Sequence, residues 1–483
     1  MNTSFKIKFF IFLIGFSILS GCDTFLEENP DNRVELNTPE KAAQLLTNGY
    51  TSAAYTFTEW MGDNVIYTTG TTKQTEHEQA YQWEEVTSIN QDTPSNFWTS
   101  TYDAIAHANE VLAAIDGMSG EESKKNAVRG EAYLIRAYGH FMLVNLFAKQ
   151  YDEDSADDDL GIPYVEEPET VFIKQYTRNT VEEVYDKIES DILNGLKFVD
   201  ERYYASSGKY HFTRNAGLAL ASRFYLYKGD FNNCIKYSTE MLGSDPDVFI
   251  KDIALLLQEK ANPDDFIRLY ASPTDQSNLL MIRNVTNFPV TVGYWPDIDL
   301  LRELYFSNPW GADDVRISNE YPLYVRGDNG VAIGKYEFLF ERTSLTSNVG
   351  LYYTVMPVFR GEEVLLNRAE SYAQQNKLSL AYGDLQVMIT KRYGNESMNR
   401  DVLRIHYGSA NDKNNVLQFI LEERRKEFIS EGLRWFDVKR NRILVSHILA
   451  DGSTIRLTRD DRRKVLQIPQ SAIDIGGLKP NPR

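Results

Sequence analysis

Six histidines and two cysteines are the scarce reactive residues of this 483-residue chain. His77-Glu78-Gln79-Ala80-Tyr81 opens as a zinc-protease helix would, but Tyr81 stands where the second imidazole must come, so one metal ligand is missing. His107, His140, His211, His406 and His447 stand singly, the pattern of packed or surface histidines. No Gly-rich phosphate loop and no Ser nucleophile elbow occurs. Acidic pairs such as Asp313-Asp314 are present, yet a glycosidase pair is defined by a separation in space that sequence does not supply. The acidic run 152–159 gathers oxygens of the kind calcium takes, without EF-hand spacing, and otherwise reads as a solvated loop. The chain is therefore expected to be no enzyme and to hold no cofactor and no metal.

Cys22 has a different chemistry. Lys6 and Lys8 precede an apolar run, Phe9 to Leu19, too short at about 1.5 Å per residue to cross a bilayer core of about 30 Å. A basic start and a short apolar run make an export signal. The following Leu19-Ser20-Gly21-Cys22 resembles a bacterial lipobox, which implies removal of residues 1–21 and an acyl (palmitate-type) anchor on Cys22; an ordinary signal with an incidental Cys is the alternative. Two or more acyl chains hold a protein stably to a membrane where one does not. Asp23, Glu27 and Glu28 then resemble a surface-export tag, or else belong to a solvated tether kept extended by Pro30. With Cys22 acylated, Cys234 has no partner for a disulfide and reads as a small buried hydrophobe on a helix.

Charge and composition exclude other classes. Against 51 Lys+Arg stand 69 Asp+Glu, a net −18, and loss of Lys6 and Lys8 with the signal makes it −20. Nucleic acid is thereby excluded, since releasing its counterions needs a basic face. The apolar share of 42% excludes disorder, and no later segment reaches the 18 apolar residues of a membrane span.

The elements that would position a site are mostly helical. After a tether at 22–37, Thr38 and Pro39 open a helix to about Tyr55. Residues 56–95 read as loops. Trp98, Tyr102, Ile105, Asn109 and Leu112 fall on one helix face, ended by Gly117 and Gly120, and 121–149 is a long amphipathic helix. Thr180 and Glu183 form a capping box, and helices follow at 213–228 and 230–243. Residues 245–355 lose periodicity and read as a loop-rich insertion. Helices return at 358–376, 378–393 and 413–440, before an extended tail. The expected division is 1–21 signal, 22–37 tether, 38–244 helical, 245–355 insertion and 356–483 helical.

A spaced repeat joins the helical parts. Tyr225, Gly229, Phe231 and Cys234 have the same offsets as Tyr372, Asn376, Leu378 and Ala381, the layout of a tetratricopeptide helical hairpin in which a small residue admits the second helix. Beside these lie Arg129-Gly130-Glu131-Ala132-Tyr133, Gly161-Ile162-Pro163-Tyr164, Asp313-Asp314-Val315-Arg316, Phe359-Arg360-Gly361-Glu362-Glu363, Ile468-Pro469 and Asn481-Pro482. The most specific stretch is Glu423-Arg424-Arg425-Lys426-Glu427-Phe428-Ile429-Ser430-Glu431-Gly432-Leu433-Arg434-Trp435-Phe436-Asp437. Together, over nearly the whole chain, these resemble the SusD/RagB family of outer-membrane nutrient-binding lipoproteins. Cys234 departs from the family's usual Ala. The charges of Glu423, Arg424, Glu431 and Arg434 are expected to pair along their helix, and Trp98 and Trp435 to be core.

The resemblance implies a mainly α fold, a tetratricopeptide-like hairpin scaffold with a large irregular ligand-binding portion. It implies a glycan-binding lipoprotein in the outer membrane, facing the cell surface, that delivers nutrient to a SusC-like TonB-dependent transporter. A secreted lipoprotein glycoside hydrolase and a helical assembly scaffold without its own ligand are the alternatives. A sugar ring is held by an aromatic plate under its C–H face and short polar groups around its hydroxyls. Two irregular regions offer them. Trp60, Asp63, Asn64, Tyr81 and Trp83 lie in one; Tyr294, Trp295 and Arg326 lie in the other, with Trp310, Tyr321 and Tyr324 nearby. Trp83 and Trp295 are the expected plates, Trp60, Tyr81 and Tyr294 their aromatic neighbours, and Asp63, Asn64 and Arg326 the hydroxyl partners.

Overall fold

In the computed structural model, which describes residues 35–71, 74–171, 174–291 and 293–483, the helices begin where their caps do. Thr38 accepts from the Lys41 amide with Pro39 at the first helical position, Thr93 does the same for Asn96 ahead of Pro94, and Thr180 and Glu183 satisfy each other's amides. Cys22, the export signal and the acidic stretch after it lie outside the described residues. Among the described residues no helix is long and apolar enough to cross a membrane.

The scaffold is built on the helix Glu122–Phe147, whose second half is buried on every side. Pro94–Ala114 packs along it through Phe97, Trp98, Ile105 and Ala108. Val181–Phe198 crosses it at two glycines: a Cβ on Gly130 would lie 2.3 Å from the Val199 nitrogen, and one on Gly195 2.6 Å from Leu134. Two helical hairpins follow the spaced repeat. Arg214–Lys228 turns at Gly229 into Phe231–Leu242, and Gly361–Gln374 turns at Asn376 into Leu378–Tyr393, with both turn residues at positive φ. Cys234 and Ala381, the small residues, are fully buried, and Phe231–Leu242 packs on Gly361–Gln374. Burial pushes the Cys234 thiol up to about 11, which keeps it protonated.

Three expectations change. The first helix stops at Leu46 rather than Tyr55, and residues 47–57 run on as irregular chain that is buried from Ala53 onward. Within 56–95, short helices form at Thr58–Met61 and Thr75–Tyr81. The expected helix 413–440 is two, Asp412–Glu427 and Arg434–Arg440. Between them Ser430 and Gly432 take positive φ, and both donate their amides to the buried carboxylate of Glu59, at 2.8 and 2.9 Å. That carboxylate satisfies amides which an unbroken helix would have kept for itself.

The family charges pair between elements more than along them. Glu427 receives Arg392 at 2.9 Å and Arg316 and Arg360 at 3.2 Å; Glu431 receives Arg360 and Lys335; Arg424 holds Asp437; Arg434 holds Asp63. Only Glu423–Lys426, among the helix Asp412–Glu427 pairs described here, is an i,i+3 contact. Burial pushes the Glu427 carboxyl up, but the guanidiniums of Arg392, Arg360 and Arg316 outweigh it and hold it well below the usual range.

Residues 245–355 carry more regular structure than the loop-rich expectation. Gly350–Arg360 is the central strand of an antiparallel sheet, between Asn278–Val285 and Phe338–Arg342, and runs straight into the helix that starts at Gly361. Leu323–Arg326 pairs with Gly330–Ile333. Ile253, Phe266, Tyr270, Leu301, Tyr305 and Tyr321 form a second apolar cluster beneath this lobe, apart from the scaffold core.

Candidate functional site

The two aromatic regions meet. Ile66–Tyr67 pairs antiparallel with Tyr294–Trp295, Ile66 opposite Trp295 and Tyr67 opposite Tyr294. Most of the expected plates, however, are anchors of this junction. Trp60 is fully buried, stacked on His77 at 3.8 Å, and burial pushes the His77 imidazole down to about 4. Tyr81 lies between Tyr294 at 4.5 Å and His447 at 4.1 Å, and donates its hydroxyl to the Ile448 carbonyl. Trp83 covers the other face of His447 at 4.2 Å and donates its indole N–H to the Met61 carbonyl. The His447 ring nitrogens face the Tyr81 and Gly62 carbonyls, each at 2.6 Å. Large aromatics bury, and the Trp83 indole N–H finds a backbone acceptor as it does, whereas that of Trp60 has none among the described residues.

The expected hydroxyl partners are mostly engaged as well. Asp63 forms a two-pronged pair with Arg434, at 2.8 and 2.9 Å. Burial raises its carboxyl, but Arg434 and Arg425 bring it far below the usual range. Asn64 is buried, donating to Glu59 and accepting from Arg425. Trp310, half-buried, rests on Tyr393 and donates to the Ser397 carbonyl.

Trp295 and Arg326 share an open cleft of about 310 Å³, with Tyr324, Tyr336, Phe338 and Asp264 also in its walls. Trp295 is as buried as the other expected plates, at 2% exposure, and is fixed by its N–H to the Thr291 carbonyl at 2.7 Å and by Phe288 at 5.1 Å. Arg326 donates to the Pro289 carbonyl at 2.9 Å and holds its guanidinium 5.8 Å from the Trp295 ring centre; its Nε is buried with no partner among the described residues. Burial lowers the Arg326 pKa. Tyr336 donates to the Ser430 carbonyl at 2.9 Å, tying the cleft wall to the irregular turn between the last scaffold helices. Tyr324 faces Asp264, whose charge helps burial to raise the phenol pKa. The cleft thus offers aromatic walls, a guanidinium with an unused donor and a carboxylate. It is of the size and mixed lining of a small-molecule site. Among the described residues no group of three or more His, Cys, Asp and Glu is placed to hold a metal.

Tyr336, Phe338, Asp264 and Arg268 of the cleft were outside the expected set. The only local signal for one of them was the short apolar run Phe338-Leu339-Phe340, which fits a strand or a buried helix segment alike.

Comparison with known proteins agrees with this architecture. A family model described as "Starch-binding associating with outer membrane" matches residues 24–226, and the SusD family model matches 323–474. The chain belongs to the SusD/RagB family. A SusD-like protein of Formosa agariphila, P38, is 21% identical over 489 aligned positions, covering 89% of this chain and 90% of the relative. A SusD superfamily crystal structure from Bacteroides thetaiotaomicron superposes with a TM-score of 0.70 at 20% identity, covering 92% of this chain and 100% of that one. A laminarin-binding SusD-like protein superposes at 0.64 with 17% identity, covering 92% and 99%. The fold is mainly α and SusD-like.

Proposed function

We propose that this chain is a glycan-binding lipoprotein of the outer membrane, anchored through Cys22 and facing the cell surface, which captures an oligosaccharide in the Trp295–Arg326 cleft and passes it to a SusC-like TonB-dependent transporter. The observation that carries the binding reading is the cleft itself: the Arg326 guanidinium, with one donor unpartnered, over a buried Trp295 in an opening walled also by Tyr324, Tyr336 and Phe338. Family membership and the laminarin-binding neighbour support carbohydrate as the ligand class. The lipobox supports the anchor, and the resemblance supports the transporter.

Laminarin and starch are the first probes, on a glycan array and then by calorimetry. Replacing Arg326 by Ala removes the unused donor and the wall beside Trp295. We expect at least about a tenfold loss of affinity, roughly 1.4 kcal/mol, with the helical circular dichroism unchanged. Unchanged affinity in this variant rejects the cleft; new reducing ends from wild-type protein would favour a hydrolase. Affinity capture from outer membranes without a β-barrel protein counts against the transporter.

A further inference from the structure

Beyond the cleft, the strand Phe338–Arg342 and its partner run on as a hairpin that exposes several large apolar side chains among polar ones. Leu345, at 98% exposure, and Val349, at 70%, lie at its end. Part of this surface is ordered in a way that bare exposure is not. In the antiparallel register Phe338 is opposite Thr354 and Phe340 opposite Tyr352. Directly paired and next-but-one residues share a face, so Phe338, Tyr352 and Phe340 emerge on one side of the sheet. Their rings are in contact: Phe338 and Tyr352 are 4.5 Å apart and 17° from parallel, and Tyr352 and Phe340 are 4.6 Å apart at 47°.

Gly350 shapes this row. A Cβ there would lie 2.7 Å from the Phe340 ring tip and 2.2 Å from the Glu341 carbonyl oxygen. The missing side chain lets the Phe340 ring lie against the neighbouring backbone, with 39% of the residue exposed; Tyr352 is 37% exposed. On the opposite face Arg283 pairs with Glu341 and covers the Tyr353 ring at 4.0 Å, while Arg342 follows Phe340 on the platform's own face, opposite Gly350. Phe338 is itself a wall of the cleft. The row therefore begins inside the cleft and leads out of it as aromatic rings, with Arg342 next on the same face.

We propose that Phe338, Tyr352 and Phe340 form a second binding platform, continuous with the cleft, for the neutral, ring-faced continuation of an oligosaccharide too long for the cleft alone. This rests on the glycan-binding reading above and sharpens it: the ligand class is an extended chain rather than a mono- or disaccharide. The cleft fixes one end by hydrogen bonds, and the platform takes further rings by their C–H faces. Its share of affinity accordingly grows with chain length.

The experiment is calorimetry with laminarin oligosaccharides, a disaccharide and an octasaccharide, on the wild-type chain, the Phe340→Ala/Tyr352→Ala double variant and Tyr352→Phe. Two ring plates are worth about fivefold to about a hundredfold together. The double variant should lose that factor for the octasaccharide while keeping the wild-type affinity for the disaccharide. Tyr352→Phe, which keeps the ring, should restore the octasaccharide affinity relative to the double variant. Equal loss for both lengths, as a merely misfolded hairpin would give, overturns the platform. So does no loss for either, including the case where the double variant instead loses capture of a membrane protein. Wild-type protein that binds no laminarin or starch oligosaccharide at all defeats the glycan reading itself, whereas binding untouched by the double variant leaves that reading standing.

Discussion

The scaffold around Glu122–Phe147 and the lobe of residues 253–360 handle the same problem differently. In the scaffold, charge is taken inside and matched: Arg223 lies two-pronged on Glu363, both buried, and Arg136 likewise on Asp191. In the lobe's outer part, apolar groups are left outside, with Val325, Leu345 and Val349 all well exposed. A buried ion pair gains little stability over a well-packed apolar pair but is costly to break, so it rewards one arrangement and penalises others. An exposed apolar patch contributes no folding energy and marks a surface with a use. The scaffold and the inner side of the lobe, which supplies Arg316, Lys335 and Arg360, are thus built for uniqueness, and the lobe's outer part for contact.

Three measurements test this contrast. The largest effect should follow Glu427→Ala, which leaves Arg316, Arg360 and Arg392 facing an empty place. Breaking a buried pair on one side costs about 3–5 kcal/mol, and here three guanidiniums each lose one carboxylate while keeping another, so urea unfolding should show a loss of that size. A loss below about 1 kcal/mol would place the network among ordinary surface pairs.

A smaller effect should appear on acidification. His77, in the irregular region, is pushed down to about 4 by burial, and His140, in the scaffold, to about 3. Burial holds His140 neutral against the pull of the Arg136 carbonyl that its ring faces at 3.0 Å, while its Nε2 accepts from the Val165 amide. Both rings are lowered relative to the unfolded chain, near 6.5. Their neutral forms favour folding above that pH, and stability falls as the pH drops from about 6.5 toward 4, by up to about 1.4 kcal/mol per pH unit for each ring. Chemical unfolding of His77→Phe between pH 7 and 4.5 should show a slope shallower by about one proton. An unchanged slope would show that His77 titrates normally.

The smallest effect belongs to the hairpin tip. Leu345→Ser should shift stability by no more than about 0.5 kcal/mol in the same unfolding assay, because nothing is packed on the side chain it removes. A larger fall would mean the tip is folded back on the protein and not presented.

Helix starts were the most legible features. Thr38-Pro39 and the Thr180–Glu183 box mark them locally, because an N-cap needs only residues within one turn. The shared offsets of the two hairpins were equally local. The sheet was not, since Asn278 finds its partner at Arg360 and the run Leu279-Leu280-Met281-Ile282 is buried throughout, which removes the alternation that marks a strand. The break at 428–433 depends on Glu59, far away in sequence. For the same reason the site was half visible. Composition pointed to the irregular aromatics, and two of the eight singled out, Trp295 and Arg326, do line the cleft. What closes over Trp83 and Tyr81 is His447, and no spacing near residue 80 foretells it.

Glu427 also sets an order of events. Of the carboxylate contacts made by Arg360 and Arg392, the shortest come from Glu431 and Glu427, on chain that follows both arginines. A ribosome that has finished residue 400 has delivered the arginines without these counter-ions, and shutting them inside at that stage would strand charge in a dry interior. Closure therefore waits for nearly the full length of the polypeptide, and a product that stops early should remain open and be a ready target for proteases.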